Sequence, residues 1–125
     1  MIRREEGEQR ALIQWADLHP WGPDLIAIPN GHALGYKRGI MSAMGVRVGV
    51  SDLFLSVPMA KAGDPPYLRR PGLWIELKAK GGRVSMAQAD WLLRKRAQGY
   101  AAECCFSFEE AKAAIERYLA GEWEG

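Results

Sequence analysis

Apolar and polar residues alternate in blocks along the chain, and the spacing within each block predicts one secondary-structure element. Helical spacing and stop residues predict helices over residues 3–18, 37–44, 86–98 and 107–119. Short apolar runs bounded by turn residues predict strands over residues 25–28, 53–57, 73–78 and 101–106. The order is therefore α-β-α-β-β-α-β-α. Residues 58–72 hold four prolines and two glycines and are predicted to form an exposed loop that joins two strands like a long hairpin.

The starts of the last two helices carry a capping pattern. Ser85 is followed three residues later by Gln88, and Ser107 is followed at the same distance by Glu110. In a capping box the hydroxyl accepts from the third backbone N–H, and the longer side chain reaches back to the cap. Gln88 therefore has a structural explanation beside any chemical one, and both remain open.

Size and composition favour a soluble globular protein. The chain has 125 residues, taken here as a single domain spanning 1–125, with 48% hydrophobic and 26% charged residues. No apolar run approaches the roughly 20 residues of a membrane span, and the charged start MIRREEGEQR lacks the apolar stretch of a secretory signal, so a cytoplasmic location is expected. The adjacent Cys104 and Cys105 are expected to be small core residues of a reducing compartment.

Positive charge is clustered although the net charge is only +2. Cations group at Lys37-Arg38, Arg69-Arg70, Lys78-Lys80-Arg83 and Arg94-Lys95-Arg96. Solvated surfaces produce such groups more often than binding sites do, so they suggest contact with phosphates without establishing it.

The strand at residues 73–78 carries polar side chains on one face only. Strand side chains repeat every second residue, so Glu76 and Lys78 project together while Ile75 and Leu77 point to the core. Asp52 begins the preceding strand, and pairing of the two strands would bring it to Glu76 and Lys78. Two carboxylates and the Leu77 carbonyl are ligands that a hard cation such as Mg²⁺ prefers. Lys78 would then position or help deprotonate a water that attacks phosphorus, which is phosphodiester hydrolysis. In isolation, Glu76 and Lys78 would more often be an exposed ion pair.

These residues carry a resemblance to a known family. Asp52 followed by Glu76-Leu77-Lys78 resembles the PD-(D/E)xK motif of restriction-endonuclease-like nucleases. With its flanking segments, the chain from about residue 5 to 119 resembles the VRR-NUC (virus-type replication-repair nuclease) family in its small stand-alone form from phages and bacteria. These segments are Glu8-Gln9, Pro29-Asn30-Gly31, residues 45–53, Gly82-Arg83-Val84-Ser85 and Gln88.

The resemblance implies an α/β fold: a PD-(D/E)xK core with a central mixed four-stranded sheet flanked by helices. It implies Mg²⁺ or Mn²⁺ as cofactor and assigns metal binding to Asp52, Glu76, the Leu77 backbone carbonyl and Glu8. Glu5, one helical turn earlier, is the alternative to Glu8. Lys78 and Gln88 complete the catalytic set. Ser51 stands where most of the family has proline, a change that removes no ligand.

The resemblance also implies a substrate. Small stand-alone members resemble structure-selective endonucleases that act as homodimers on four-way (Holliday) DNA junctions, so branched DNA is the expected partner, in a bacterial cell or phage-infected host. The expected DNA contacts are Asn30, Lys37, Arg38, Lys80 and Arg83, with Asn30-Gly31 otherwise an ordinary turn. The alternatives are a nuclease acting on flaps or other branched DNA, and a non-catalytic nucleic-acid-binding module.

Overall fold

In the described part of the chain, four helices and four strands follow one another in the order that the sequence predicts. The computed structural model describes residues 4–29, 38–59, 63–65 and 69–123. The helices are α1 (Arg4–Ala16), α2 (Arg38–Ala43), α3 (Met86–Ala97) and α4 (Phe108–Leu119). The strands are β1 (Leu25–Ala27), β2 (Leu53–Leu55), β3 (Leu73–Leu77) and β4 (Ala101–Cys105). A single 3₁₀ turn, Gly22–Asp24, leads into β1.

The strands form one mixed sheet in the order β1-β2-β3-β4. β1 with β2 and β2 with β3 are antiparallel, and β3 with β4 is parallel. A parallel pair needs a crossover connection, which α3 supplies between β3 and β4. The mixed four-stranded sheet flanked by helices is therefore confirmed.

One face of the sheet carries the hydrophobic core. Leu53 pairs with Ile75 and Leu55 with Leu73, and all four side chains are fully buried. Helices α1 and α4 contribute six further core side chains, Leu12, Ala16, Ala111, Ala114, Ile115 and Tyr118. Because strand side chains alternate between faces, the residues between these leucines point to the opposite side.

The opposite face is covered by α3 and holds an aromatic group. Phe54 of β2 and Trp74 of β3 pair across the strands with ring centroids 4.3 Å apart. Trp91 of α3 meets Trp74 edge to face at 5.3 Å, and Lys95 Nζ lies 4.4 Å from the Trp91 ring centroid. Asp52 and Glu76 each lie two residues from one of these paired rings, so they belong to the α3 face of the sheet.

The connection between β2 and β3 is less exposed at its base than its composition predicts. β2 ends at Leu55, two residues earlier than predicted, although the Ser56 N–H still bonds to the segment before β1 by donating to the Asp24 carbonyl at 2.9 Å. Met59 then pairs with Arg70 through two backbone hydrogen bonds of 2.7 and 3.0 Å, and the Met59 side chain joins the core. The prediction of an exposed loop was wrong for this residue, since an apolar side chain and a β-bridge outweigh the prolines around it.

Tyr118 of α4 fastens the same connection from inside the core. Its hydroxyl lies 2.6 Å from the Val57 carbonyl and 3.2 Å from the Arg70 carbonyl, one on each side of the loop. Burial raises the pKa of Tyr118 to about 12, so the phenol stays protonated and keeps its donor.

The two cysteines are free thiols with different positions. Cys105 is 1% exposed and belongs to the core, whereas Cys104 is only partly buried and lies beside Glu76 in the β3–β4 register. Burial raises the pKa of Cys105 to about 12 and that of Cys104 to about 11. Within the described ranges, no helix is long and apolar enough to cross a membrane.

Replacing Tyr118 with Phe should destabilise the protein by about 1–2 kcal/mol, because the Val57 carbonyl loses its hydroxyl donor and the Arg70 carbonyl keeps only that of the Met59 N–H, while the core keeps its ring. Urea unfolding at neutral pH measures the difference. Tyr100→Phe is the matched control, since its ring packs in the separate Phe54–Trp74 group. An equal, small effect of both substitutions would show that the Tyr118 hydroxyl does not fasten the loop.

Candidate active site

Asp52 is fixed at the point where β2 begins. Its Oδ2 accepts a hydrogen bond of 2.9 Å from the Leu77 N–H at the end of β3. The Asp52 carbonyl also accepts from the Ile28 N–H just beyond β1, at 2.7 Å. Ser51 before it is fully buried, and its hydroxyl has no hydrogen-bond partner among the described residues. Asp52 is therefore held by both neighbouring strands, and Leu77 contributes its amide here, while a ligand role for its carbonyl stays a prediction.

Glu76 is a buried carboxylate, with 1% of its surface exposed. Its Oε1 accepts a 2.7 Å hydrogen bond from Gln88 Nε2 and lies 3.6 Å from Lys78 Nζ. Its Oε2 is also buried and has no hydrogen-bond partner in the described part of the chain. Burial, and then the negative charge of Asp52, raise the pKa of Glu76 to about 8, although Lys78 acts in the opposite direction.

Gln88 connects this carboxylate to the start of α3. The Gln88 N–H donates to Ser85 Oγ at 3.1 Å, and the Ser85 N–H donates to Gln88 Oε1 at 2.9 Å, which completes the predicted capping box. The amide nitrogen of the same side chain donates to Glu76. The capping interpretation is thus confirmed, and one side chain both caps the helix and contacts the buried acid.

Lys78 lies just past the end of β3 on the Glu76 side of the strand. The Lys78 N–H donates to the Cys105 carbonyl at 2.8 Å, so the parallel neighbour β4 fixes its backbone. Its side chain is 13% exposed, which places the ammonium group at the border between the buried acid and solvent.

Glu8 belongs to α1, and its side chain contacts the start of α4. Its Oε2 accepts a 2.5 Å hydrogen bond from the Phe108 N–H in the first turn of that helix, and its side chain is partly buried while Glu5 is exposed. A carboxylate is favourable there because the first N–H groups of a helix have no internal partner. The structure thus favours Glu8 over Glu5 as the inward-facing acid. Its role as a metal ligand stays a prediction, since the described residues show no cluster of three metal-binding side chains.

The predicted DNA contacts are only partly within the described residues. Lys80 and Arg83 are exposed in the turn between β3 and α3, which Gly81 enters with a φ of 85°. Asn30 and Lys37 lie outside the described residues, and Arg38 is described only as the first residue of α2.

A cavity that the sequence did not predict lies beside Asp52 and Gln88. This side cavity has a volume of about 1020 Å³ and is bounded by Ile28 just beyond β1, by α2 and by the loop 45–50. The loop sits tightly on α3, because a Cβ at Gly49 would lie 2.5 Å from the Ala87 carbonyl oxygen. Gly49 also has a φ of 87°, so no other residue fits there without strain. Gly45 and Gly49, four residues apart, were the only local sign of this cavity in the sequence.

Comparison with known proteins identifies the family of this fold. The family model for the VRR-NUC domain matches residues 3–109. The chain belongs to the VRR-NUC domain family. A solved structure described as a VRR_NUC domain protein is similar to this VRR-NUC chain, with a TM-score of 0.78 and 18% sequence identity over 97% of this chain and 92% of the other. A search among curated proteins gives no match. Membership in the VRR-NUC family implies a nuclease-type, DNA-processing function.

VRR-NUC nucleases generally use divalent metal ions, and two observations on this chain fit such an ion. The buried Glu76 Oε2 has no protein partner, which is costly unless something else satisfies it. The two carboxylates of Asp52 and Glu76 also repel each other, and after burial this repulsion is the next largest cause of the raised pKa of Glu76. A dication between them would relieve both penalties.

Glu76→Gln should remove a pH dependence from the stability of the metal-free VRR-NUC chain. From the ordinary Glu pKa of 4.5 up to about 8, Glu76 holds its proton in the folded chain and loses it on unfolding, so the free energy of unfolding falls as pH rises. The slope from this one group is at most about 1.4 kcal/mol per pH unit. Glutamine keeps the oxygen that accepts from Gln88 and does not titrate.

Urea unfolding of both proteins in a chelator, from pH 5 to 9, measures the effect. The advantage of Glu76→Gln over the parent should grow up to about pH 8 and then stay constant. Other titrating groups are common to both proteins and cancel. Parallel stability curves across the whole range would contradict the raised pKa.

Proposed function

We propose that the chain is a metal-dependent, structure-selective DNA endonuclease that hydrolyses phosphodiester bonds and resolves four-way junctions as a homodimer. The observation that carries the proposal is the buried Glu76 carboxyl, whose Oε1 contacts Gln88 and Lys78 and whose Oε2 has no partner among the described residues, together with Asp52 held at the adjacent Leu77 N–H. A structural ion pair needs neither a second carboxylate nor an unsatisfied oxygen. Metal binding explains both.

Asp52 and Glu76 would hold the ion, joined by the Leu77 carbonyl and Glu8 if the family pattern holds in full. When bound, Mg²⁺ or Mn²⁺ supplies positive charge that stabilises the negative charge developing on the phosphate and the leaving oxygen. The protein contributes rigid placement. The Leu77 N–H holds Asp52, and the Gln88 amide holds Glu76, so neither carboxylate must reorganise when substrate arrives.

Lys78 acts on the attacking water. Its ammonium group lies 3.6 Å from Glu76 Oε1 on the solvent side of the buried acid, and its backbone is fixed by β4. From there Nζ orients a water against the phosphorus. The water oxygen gives up a proton to solvent as it forms the new bond to phosphorus, the bond to the leaving sugar oxygen breaks, and that oxygen takes a proton from solvent.

The residues available for binding DNA favour recognition of its shape over recognition of its sequence. Lys80 and Arg83 are exposed in the turn beside Lys78 and would contact phosphates, as would Asn30, Lys37 and Arg38. Contacts of this kind carry little sequence information and weaken steeply with salt. A four-way junction requires two cuts on opposed strands, and a two-fold homodimer presents two identical sites.

Cleavage of a labelled four-way junction tests the proposal most directly, beside linear duplex, flap and single-stranded DNA with Mg²⁺ or Mn²⁺. We expect junction-selective cutting, and at least a hundredfold loss of rate in Lys78→Ala, because a positioned group acting on the nucleophile contributes about 10²–10⁴-fold. Lys80→Ala is the control for loss of charge alone and should mainly weaken binding.

Two outcomes would contradict this function. Cutting by Lys78→Ala at the parent rate would refute the role of the lysine. No cutting of any substrate, with binding that chelation leaves unchanged, would favour the non-catalytic binding module.

Metal binding has a readout that does not depend on cleavage. Mg²⁺ or Mn²⁺ at a hundred times its dissociation constant should stabilise the parent by about 2.7 kcal/mol, seen as a rise in Tm. Asp52→Asn keeps an oxygen to accept from the Leu77 N–H but loses the charge, so its Tm should not rise. The rise in the parent should shrink below about pH 8, where a proton on Glu76 competes with the ion. An equal shift in both proteins would place the ion elsewhere.

A further inference from the structure

The side cavity shares Asp52 and Gln88 with the site but has no part in the hydrolysis described above. With about 1020 Å³ it is far larger than a bound water or ion requires. Asp52 itself lines the cavity, so a group directly attached to a phosphate at Asp52 would reach it. The cavity is therefore a place where part of the DNA itself can lie.

The walls of the side cavity suit a flat apolar group. Ile28, Met41, Val46 and Val50 contribute aliphatic side chains. Gly39 and Gly45 add bare backbone, and a Cβ built at either glycine would meet nothing within 4 Å. Peptide planes and aliphatic side chains form surfaces on which a ring can pack, with backbone polar groups available to its edge.

The charge of the cavity does not suit a row of phosphates. Among the described residues that line the cavity, Arg47 is the one cation, and its Nη1 donates to the Ser42 carbonyl at 3.1 Å. A groove that follows a DNA backbone is lined with Lys and Arg that face outward. Lys80 and Arg83, which are placed to do this, do not line the cavity.

We infer that the side cavity receives an unpaired nucleobase of the strand whose phosphate lies at Asp52 and Glu76. This inference rests on the proposed function, and it specifies the substrate: DNA in which a base beside the cut is free to leave the stack. Bases of an intact duplex keep both faces stacked and cannot enter without an unstacking cost, whereas bases at a branch point can. The cavity would therefore contribute selectivity for branched over linear DNA.

The rim of the cavity supports the same occupant. Val48 is 76% exposed although it is a β-branched apolar residue. An apolar rim gains from being covered, and the face of a base would cover it without adding charge.

Binding measured in a chelator, where no cleavage occurs, isolates this interaction from the chemistry. Two labelled single strands of equal length serve as probes, one carrying thymine bases and one carrying abasic sugars on the same phosphate backbone. Fluorescence anisotropy should show about tenfold tighter binding of the strand with bases, the range expected for one or two packed bases. Equal affinity for both strands would overturn the inference.

Val48→Asn removes the apolar contact and adds no charge, at a side chain exposed enough to spare the fold. It should reduce the preference for bases to less than threefold. Leu93→Asn is the matched control, since Leu93 is 61% exposed on α3 and does not line the cavity. It should keep the tenfold preference. A loss of the same size in both variants would overturn the inference.

Val48→Lys separates a base from a phosphate as the occupant. If phosphates lay in the cavity, the added lysine would tighten binding of both strands and steepen the salt dependence. Tighter binding of both strands would overturn the inference in favour of a phosphate. A change from dimer to monomer in sedimentation, with the base preference intact in Val48→Lys, would overturn it in favour of a second copy of the chain. If the unsubstituted protein binds the strand with bases more tightly but cuts no junctions, that result would support base binding and refute the nuclease proposal.

Discussion

Two carboxylates on adjacent strands repel each other, and the hydrogen bond from the Leu77 N–H to Asp52 Oδ2 holds one of them in place. That bond forms only if β2 and β3 pair in the observed register, with Leu53 opposite Ile75. A slip of one residue would turn Ile75 and Leu77 out of the core and bring Glu76 into it. The hydrophobic core on one face thus fixes the register that keeps the acids together on the other. The stability of the core offsets the repulsion within the site.

The sequence was enough to predict those parts of this arrangement that depend on a local pattern. The two-residue repeat of a strand placed Glu76 and Lys78 on one face, and pairing of neighbouring strands brought Asp52 to them. The capping box at Ser85 and Gln88 also follows from spacing alone. Each of these relations involves residues close in sequence, or one pairing of strands whose apolar pattern is clear.

Contacts between distant parts of the chain were not predictable in the same way. The hydrogen bond from the Phe108 N–H to Glu8 joins residues 100 positions apart, and nothing near either residue indicates it. At the other capping pattern, Glu110 Oε1 accepts from the Phe106 N–H, one residue before the cap, because the extended chain presents that donor instead. Met59 entered the core against the composition of its surroundings, and the side cavity depends on how the loop 45–50 rests on α3.

The contact between residues 59 and 70 affects how this fold can change over evolution. The Met59–Arg70 bridge and the Tyr118 hydroxyl close the connection at its base, so the number of residues beyond that closure is not coupled to the alignment of β2 with β3. Lengthening a closed loop costs little, about 0.6 kcal/mol for each doubling. Extra sequence inserted there would leave the carboxylates undisturbed. The scaffold can therefore acquire new recognition elements at this point without rebuilding its chemistry.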